Sequence, residues 1–183
     1  GLIDDVKYYS SAMTEQQMLE LHLNGAVSRT TLVGEWKMDE VTGTNVPDTS
    51  GNSNNGTVTS GTWSPIRTVF PKTNNKNDLA SLSFDSTTSY GEVTTGIATT
   101  YNLQNNFTIS AEVNARSLAA VTRFIAKNFF GAGGYAFGSS ASGFLQFTSL
   151  GVLDYTSTYK IPLNKFVKLG VKMDSSNGCT FYA

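Results

Sequence analysis

A single cysteine, Cys179, leaves this chain without any intrachain disulfide. Secreted eukaryotic domains of this size often carry disulfides, so their lack points toward a bacterial or viral surface. The one histidine, His22, sits in a helical segment with no Ser or Cys nucleophile pattern beside it, which removes a hydrolytic triad. Charged residues are scarce at 15%, and a net charge of -1 gives no electrostatic reason to expect nucleic acid or an anionic membrane surface. No run approaches about 18 apolar residues, so no segment reads as a membrane-spanning helix. The opening Gly1-Leu2-Ile3 lacks the basic stretch of a secretion leader, and a first residue other than Met reads as a processed or partial chain.

With so little charge, the polar surface has to be built from Ser, Thr, Asn and Gly, and 17 Gly suit a chain with many turns. At 183 residues a sizeable core is possible, in one domain or one domain plus a fragment. The 11 Phe and 8 Tyr fall into alternating patterns, which argues against disorder.

The period is two almost throughout. Leu2, Asp4, Val6 and Tyr8 alternate with Ile3, Asp5, Lys7 and Tyr9. Leu32, Gly34, Trp36 and Met38 share a face, as do Phe107, Ile109, Ala111 and Val113, and later Val167, Leu169, Val171 and Met173. Further strands are expected at 79–84, 90–94, 123–127, 134–138, 143–148, 152–156 and 179–183. Trp36, Phe84, Phe107, Ile109, Val113, Leu169 and Val171 should form the core. The helical exception is Thr14 to Leu23, opened by a capping box between Thr14 and Gln17 and closed by Asn24-Gly25. Met18 with Leu21, and Leu19 with Leu23, supply its apolar contacts. Short strands with frequent turns and one helix specify an all-β, antiparallel β-sandwich.

Several motifs carry a family resemblance. Leu32-Val-Gly-Glu-Trp-Lys-Met-Asp-Glu40, Asp48-Thr-Ser-Gly-Asn-Ser-Asn-Asn-Gly-Thr57, Leu82-Ser-Phe-Asp85 and Phe107-Thr-Ile-Ser-Ala-Glu-Val113 occur in the order of the laminin-G-like, concanavalin-A-like jelly-roll superfamily. Gly1 to Met13 resembles the closing strand of the same family, displaced to the front. On that resemblance residues 1–25 are the closing strand and helix of a preceding or permuted domain. Residues 26–31 are then a linker, and 32–183 a sandwich lacking its last ~30 residues. Two departures stand out: Glu112 replaces the family's Trp, and no hairpin follows Tyr182. Residues 2–9 should pair either within their own sandwich or, by strand donation, with a neighbouring copy.

The resemblance implies a structural Ca²⁺ at the sandwich rim, held by Asp48, Asn52 and Asn55 with Asp4 and Asp5 from the closing strand. The competing reading is a loop of Asx turns bonded to its own backbone. Glycan binding is the other family-level implication, with Trp63, Tyr101 and Phe129 as loop aromatics for sugar stacking. Catalysis finds little footing. Glu35, Asp39 and Glu40 lack the spacing of paired glycosidase carboxylates and read as solvent-facing charges, and Cys179 has no adjacent base. Asn55 and Asn106 head glycosylation sequons, relevant only in a eukaryotic secretory route.

The functional expectation is a non-enzymatic extracellular or virion-surface module for adhesion or carbohydrate recognition. Its partner would be a glycan or cell-surface polysaccharide. The alternatives are a structural repeat or fibre subunit that partners neighbouring copies or tandem domains, and the ancillary domain of a glycoside hydrolase. No nucleic acid and no membrane insertion are expected.

Overall fold

The computed structural model describes residues 1–24, 27–65, 80–85, 88–94, 105–127 and 134–183. The elements are β1 (Leu2–Tyr9), α1 (Glu15–Asn24), β2 (Leu32–Trp36), β3 (Asn45–Val46), β4 (Gly56–Thr59), β5 (Thr62–Ser64), β6 (Ser81–Ser83) and β7 (Tyr90–Glu92). Then follow β8 (Phe107–Asn114), β9 (Thr122–Lys127), β10 (Tyr135–Ser139), β11 (Phe144–Ser149), β12 (Leu153–Lys160), β13 (Phe166–Met173) and β14 (Cys179–Tyr182).

The fold is an all-β antiparallel sandwich with one helix. A seven-stranded sheet runs β14-β13-β8-β1-β6-β5, with β2 also on β1, and a four-stranded sheet runs β12-β11-β10-β9. A short third sheet, β3-β4-β7, contributes Val46 and Val58 to the shared core. That core is filled from both main sheets: Ile109, Val113, Leu169 and Val171 from one, Phe137, Leu145 and Phe147 from the other. Aromatic rings bridge the gap. Phe107 meets Phe147 at 5.6 Å between centroids and Tyr135 at 5.9 Å, and Tyr8 meets Tyr135 at 6.4 Å.

Residues 2–9 occupy the middle of the large sheet. β1 pairs β8 along one side, and on the other shares its edge between β6 at Leu2–Ile3 and β2 at Val6–Tyr9. Within one chain, then, the slot is filled by the chain's own strand.

Two strand phases differ from simple alternation. β1 is bulged between Asp4 and Lys7, with Asp5 at a φ of 46°, a left-handed conformation that Asp tolerates better than most residues. The extra residue sends Val6 and Tyr8 into the core and Lys7 and Tyr9 away from it. A second irregularity, opposite Tyr8 and Tyr9, puts Leu32 in a separate cluster with Tyr9, Met13, Met18 and Leu21, while Trp36 stays in the main core. Six of the seven expected core residues are buried; Phe84 is only half-buried against the core.

The helix begins as its capping box requires. The Gln17 N–H donates to Thr14 Oγ1 at 3.2 Å and the Thr14 N–H donates to Gln17 Oε1 at 2.9 Å. Met18 and Leu21 are buried under it, whereas Leu19 and Leu23 face solvent, so only one of the two expected apolar pairs packs. Close seating needs Gly170, where a Cβ would stand 2.9 Å from the Met18 methyl.

Candidate functional site

The loop after β3 is tied to the chain itself. Asp48 Oδ1 accepts from the N–H groups of Glu35 and Ser50, and Oδ2 accepts from the Asn54 N–H and the Ser50 hydroxyl, all at 2.8–2.9 Å. Burial alone would raise the Asp48 pKa. The Glu35 N–H, the Ser50 hydroxyl and N–H, and the Asn54 N–H outweigh it and hold the carboxyl below its ordinary value. Asp48 therefore adds stability above the ordinary carboxylate range and loses it as pH falls through the depressed pKa. Asn55 Oδ1 accepts the Asp48 N–H at 2.9 Å, and Asn52 turns its amide N–H to the carbonyls of Leu32 at 3.0 Å and Val33 at 3.1 Å.

This donor set does not suit Ca²⁺, which takes six to eight oxygen ligands. The carboxylate already accepts four hydrogen bonds, and Asn52 presents N–H rather than oxygen inward. Among the described residues no group of three or more His, Cys, Asp or Glu could hold a metal ion. Melting in EDTA and in millimolar Ca²⁺ should therefore give one temperature. A rise with Ca²⁺ would show that the loop rearranges to release its oxygens.

Asp4 and Asp5 lie on the side of the large sheet away from the core, and Asp5 is linked to that loop through Lys7 and Glu35, whose carboxylate accepts the Thr49 hydroxyl at 2.7 Å. Both aspartates are buried, in a charged cluster spanning four strands. The Lys7 ammonium pairs with Asp5 and stands 3.8 Å from Glu35 Oε1; Arg29 reaches Glu35 Oε2 at 3.0 Å. Lys168 stands 3.4 Å from Glu112 Oε1 and 3.9 Å from Asp5 Oδ2, and donates to the Leu21 carbonyl at 3.3 Å, joining α1 to the sheet. Asp4 is directly opposite Glu112 in the ladder, an arrangement that requires nearby cations. Glu35 is thus a buried member of this cluster rather than a solvent-facing charge. Glu112 is buried as well, and its strand neighbour across β13 is Lys168.

Of the expected sugar-stacking aromatics, Trp63 in β5 is half-buried on the core, and its Nε1–H donates to the Gly43 carbonyl at 2.7 Å. Tyr101 and Phe129 lie outside the described residues. His22 is exposed at the end of α1. Burial pushes the Cys179 thiol up to about 12, so it stays protonated at neutral pH.

An open face lies elsewhere, on the four-stranded sheet. Leu145 and Phe147 point into the core, so alternation turns Phe144, Gln146 and Thr148 outward. Gln146 is opposite Thr156 and Thr148 opposite Asp154, with Gln146 Nε2 donating to Thr156 Oγ1 at 3.2 Å. On the next strand the outward positions in register are Ala136 and Gly138. Gly138 admits no side chain, since a Cβ would collide with the Thr122 carbonyl. Ala136 and Gly138 are themselves buried, so what this face offers is a row on β11 and β12 of an amide, two hydroxyls and a half-exposed phenyl ring. Strands were expected at 143–148 and 152–156, but their outward residues went unremarked. The burial of Leu145 and Phe147 was the signal that identifies them.

Comparison with family models, with curated proteins and with solved structures finds no match.

Proposed function

We propose that this chain is a non-enzymatic carbohydrate-recognition and adhesion module of laminin-G-like type, displayed on a cell or virion surface. The observation that carries the reading is the outward row Phe144, Gln146, Thr148 and Thr156 on the four-stranded sheet. A pyranose offers a flat C–H face and a rim of hydroxyls. A phenyl ring takes the first, and amide and hydroxyl groups the second, which is the mix of apolar surface and sparse polar groups that small ligands require. The carboxylates of the buried cluster serve the fold in this reading: Asp5, Glu35 and Glu112 each face a lysine.

A glycan array followed by titration calorimetry tests it. Binding of a neutral or acidic oligosaccharide should weaken about tenfold or more in Gln146→Ala and in Phe144→Ala. No glycan bound at millimolar concentration, or binding indifferent to both changes, would remove the carbohydrate reading. The competing role, an assembly subunit, is favoured by one separate observation, the open edge at β12.

A further inference from the structure

Among the described residues β12 pairs with β11 alone, so it forms an edge of the four-stranded sheet. It is eight residues long and lacks proline, the kind of edge that invites another strand. Its ladder with β11 is irregular between Phe144 and Gln146. Ser157, Thr158 and Tyr159 stand opposite Leu145 alone, so β12 itself carries the two extra residues, an even number that keeps its alternation in phase. The Tyr159 N–H donates to Ser157 Oγ at 3.1 Å and the Ile161 N–H to the Gly143 carbonyl at 3.0 Å. Successive residues of a strand aim their backbone groups at opposite sides, so Asp154, Thr156, Thr158 and Lys160 aim theirs at the free edge. These same four residues are solvent-exposed, alternating without a break with half-buried Tyr155, Ser157 and Tyr159.

The sequence along this edge reads Asp154-Tyr-Thr-Ser-Thr-Tyr-Lys160. It is a palindrome about Ser157 whose two ends carry opposite charges. We propose that the chain pairs with a second copy of itself along β12, antiparallel, about a two-fold axis through Ser157. Asp154 of each copy then meets Lys160 of the other, Thr156 meets Thr158, and Tyr155 meets Tyr159. The Asp–Lys and Thr–Thr positions have their backbone groups aimed at the edge, so they become the hydrogen-bonded pairs. The tyrosines fall at the non-hydrogen-bonded positions, where side chains approach most closely. Opposite charges, paired threonines and paired aromatics are each favourable cross-strand neighbours. Such a contact is self-complementary, as a two-fold dimer requires. It joins two four-stranded sheets into one and sets their outward faces side by side. The inference does not rest on the carbohydrate reading.

Sedimentation velocity of the whole chain from about 1 μM to 1 mM tests it, with a reversible, concentration-dependent dimer expected. Asp154→Lys and Lys160→Asp, each alone, place like charges together twice per dimer and should raise the dissociation constant about tenfold or more. Both changes in one chain recreate the opposite-charge pairs and should restore the dimer. Thr158→Pro, which removes an edge N–H and leaves the charges in place, should abolish it. Circular dichroism on each variant confirms that the fold persists. A chain monomeric across the range overturns the proposal. So does a dimer indifferent to the single changes, or a double variant that fails to recover.

Discussion

Lys7→Met should destabilise the protein by about 3–5 kcal/mol, measured as a lowered urea midpoint with an unchanged slope. The Lys7 side chain is only 4% exposed, and its ammonium lies against Asp5 and within 3.8 Å of Glu35. Burying a charge is costly, and the pair is tolerable only because the partners compensate each other. Methionine fills nearly the same space but removes the cation, so Glu35 is left inside with only Arg29 and the Thr49 hydroxyl, which donates to Oε2 at 2.7 Å. Adding Glu35→Gln should recover part of the loss, because Arg29 is 54% exposed and can return to water. A cost under about 1 kcal/mol for Lys7→Met would mean that water reaches the cluster and screens it.

The second large effect lies on the other face of the same sheet. Ile109→Ala should cost about 2–5 kcal/mol, from lost transfer energy and a cavity that the surroundings cannot close. Ile109 has no exposed surface, stands between Tyr8 of β1 and Val171 of β13, and belongs to the main core. Its neighbours across both ladders are fixed by backbone hydrogen bonds, which limits collapse. Thermal melting of the purified variant provides the number. A variant as stable as the parent would place Ile109 outside the core.

Period-two patterning located the long strands well because their two faces differ so sharply in chemistry. β8 and β13 alternate apolar with polar residues, and both lie in the structure where the pattern puts them. The capping box was equally legible, since Thr14 and Gln17 act through local geometry alone. What alternation misread were positions where one inserted residue changes the phase. The bulge at Asp5 leaves no mark in composition, yet it decides which side Lys7 occupies. Leu32 was grouped with Trp36 for the same reason. The loop at Asp48 admitted two readings with identical residue types, and only the direction of each N–H and oxygen separates them. Glu35 was assigned to solvent because charge is usually exposed. Its burial depends on Lys7 and Arg29, partners distributed along the chain.

The central placement of β1 has a kinetic consequence. β1 leaves the ribosome first of all the strands described, yet its long partner β8 comes much later; even the Met13 N–H waits for Thr108, 95 residues on. Until β8 is made, β1 has only β2 and β6 to pair with, along one of its sides. A chain whose first strand closes against a late one has high contact order, and such topologies fold slowly and expose strand edges while they wait. Refolding on a scale of milliseconds to seconds is the expectation for this class. Moving residues 1–24 to the end of the chain, beyond Ala183, would reverse that order and show how far β1 sets the rate.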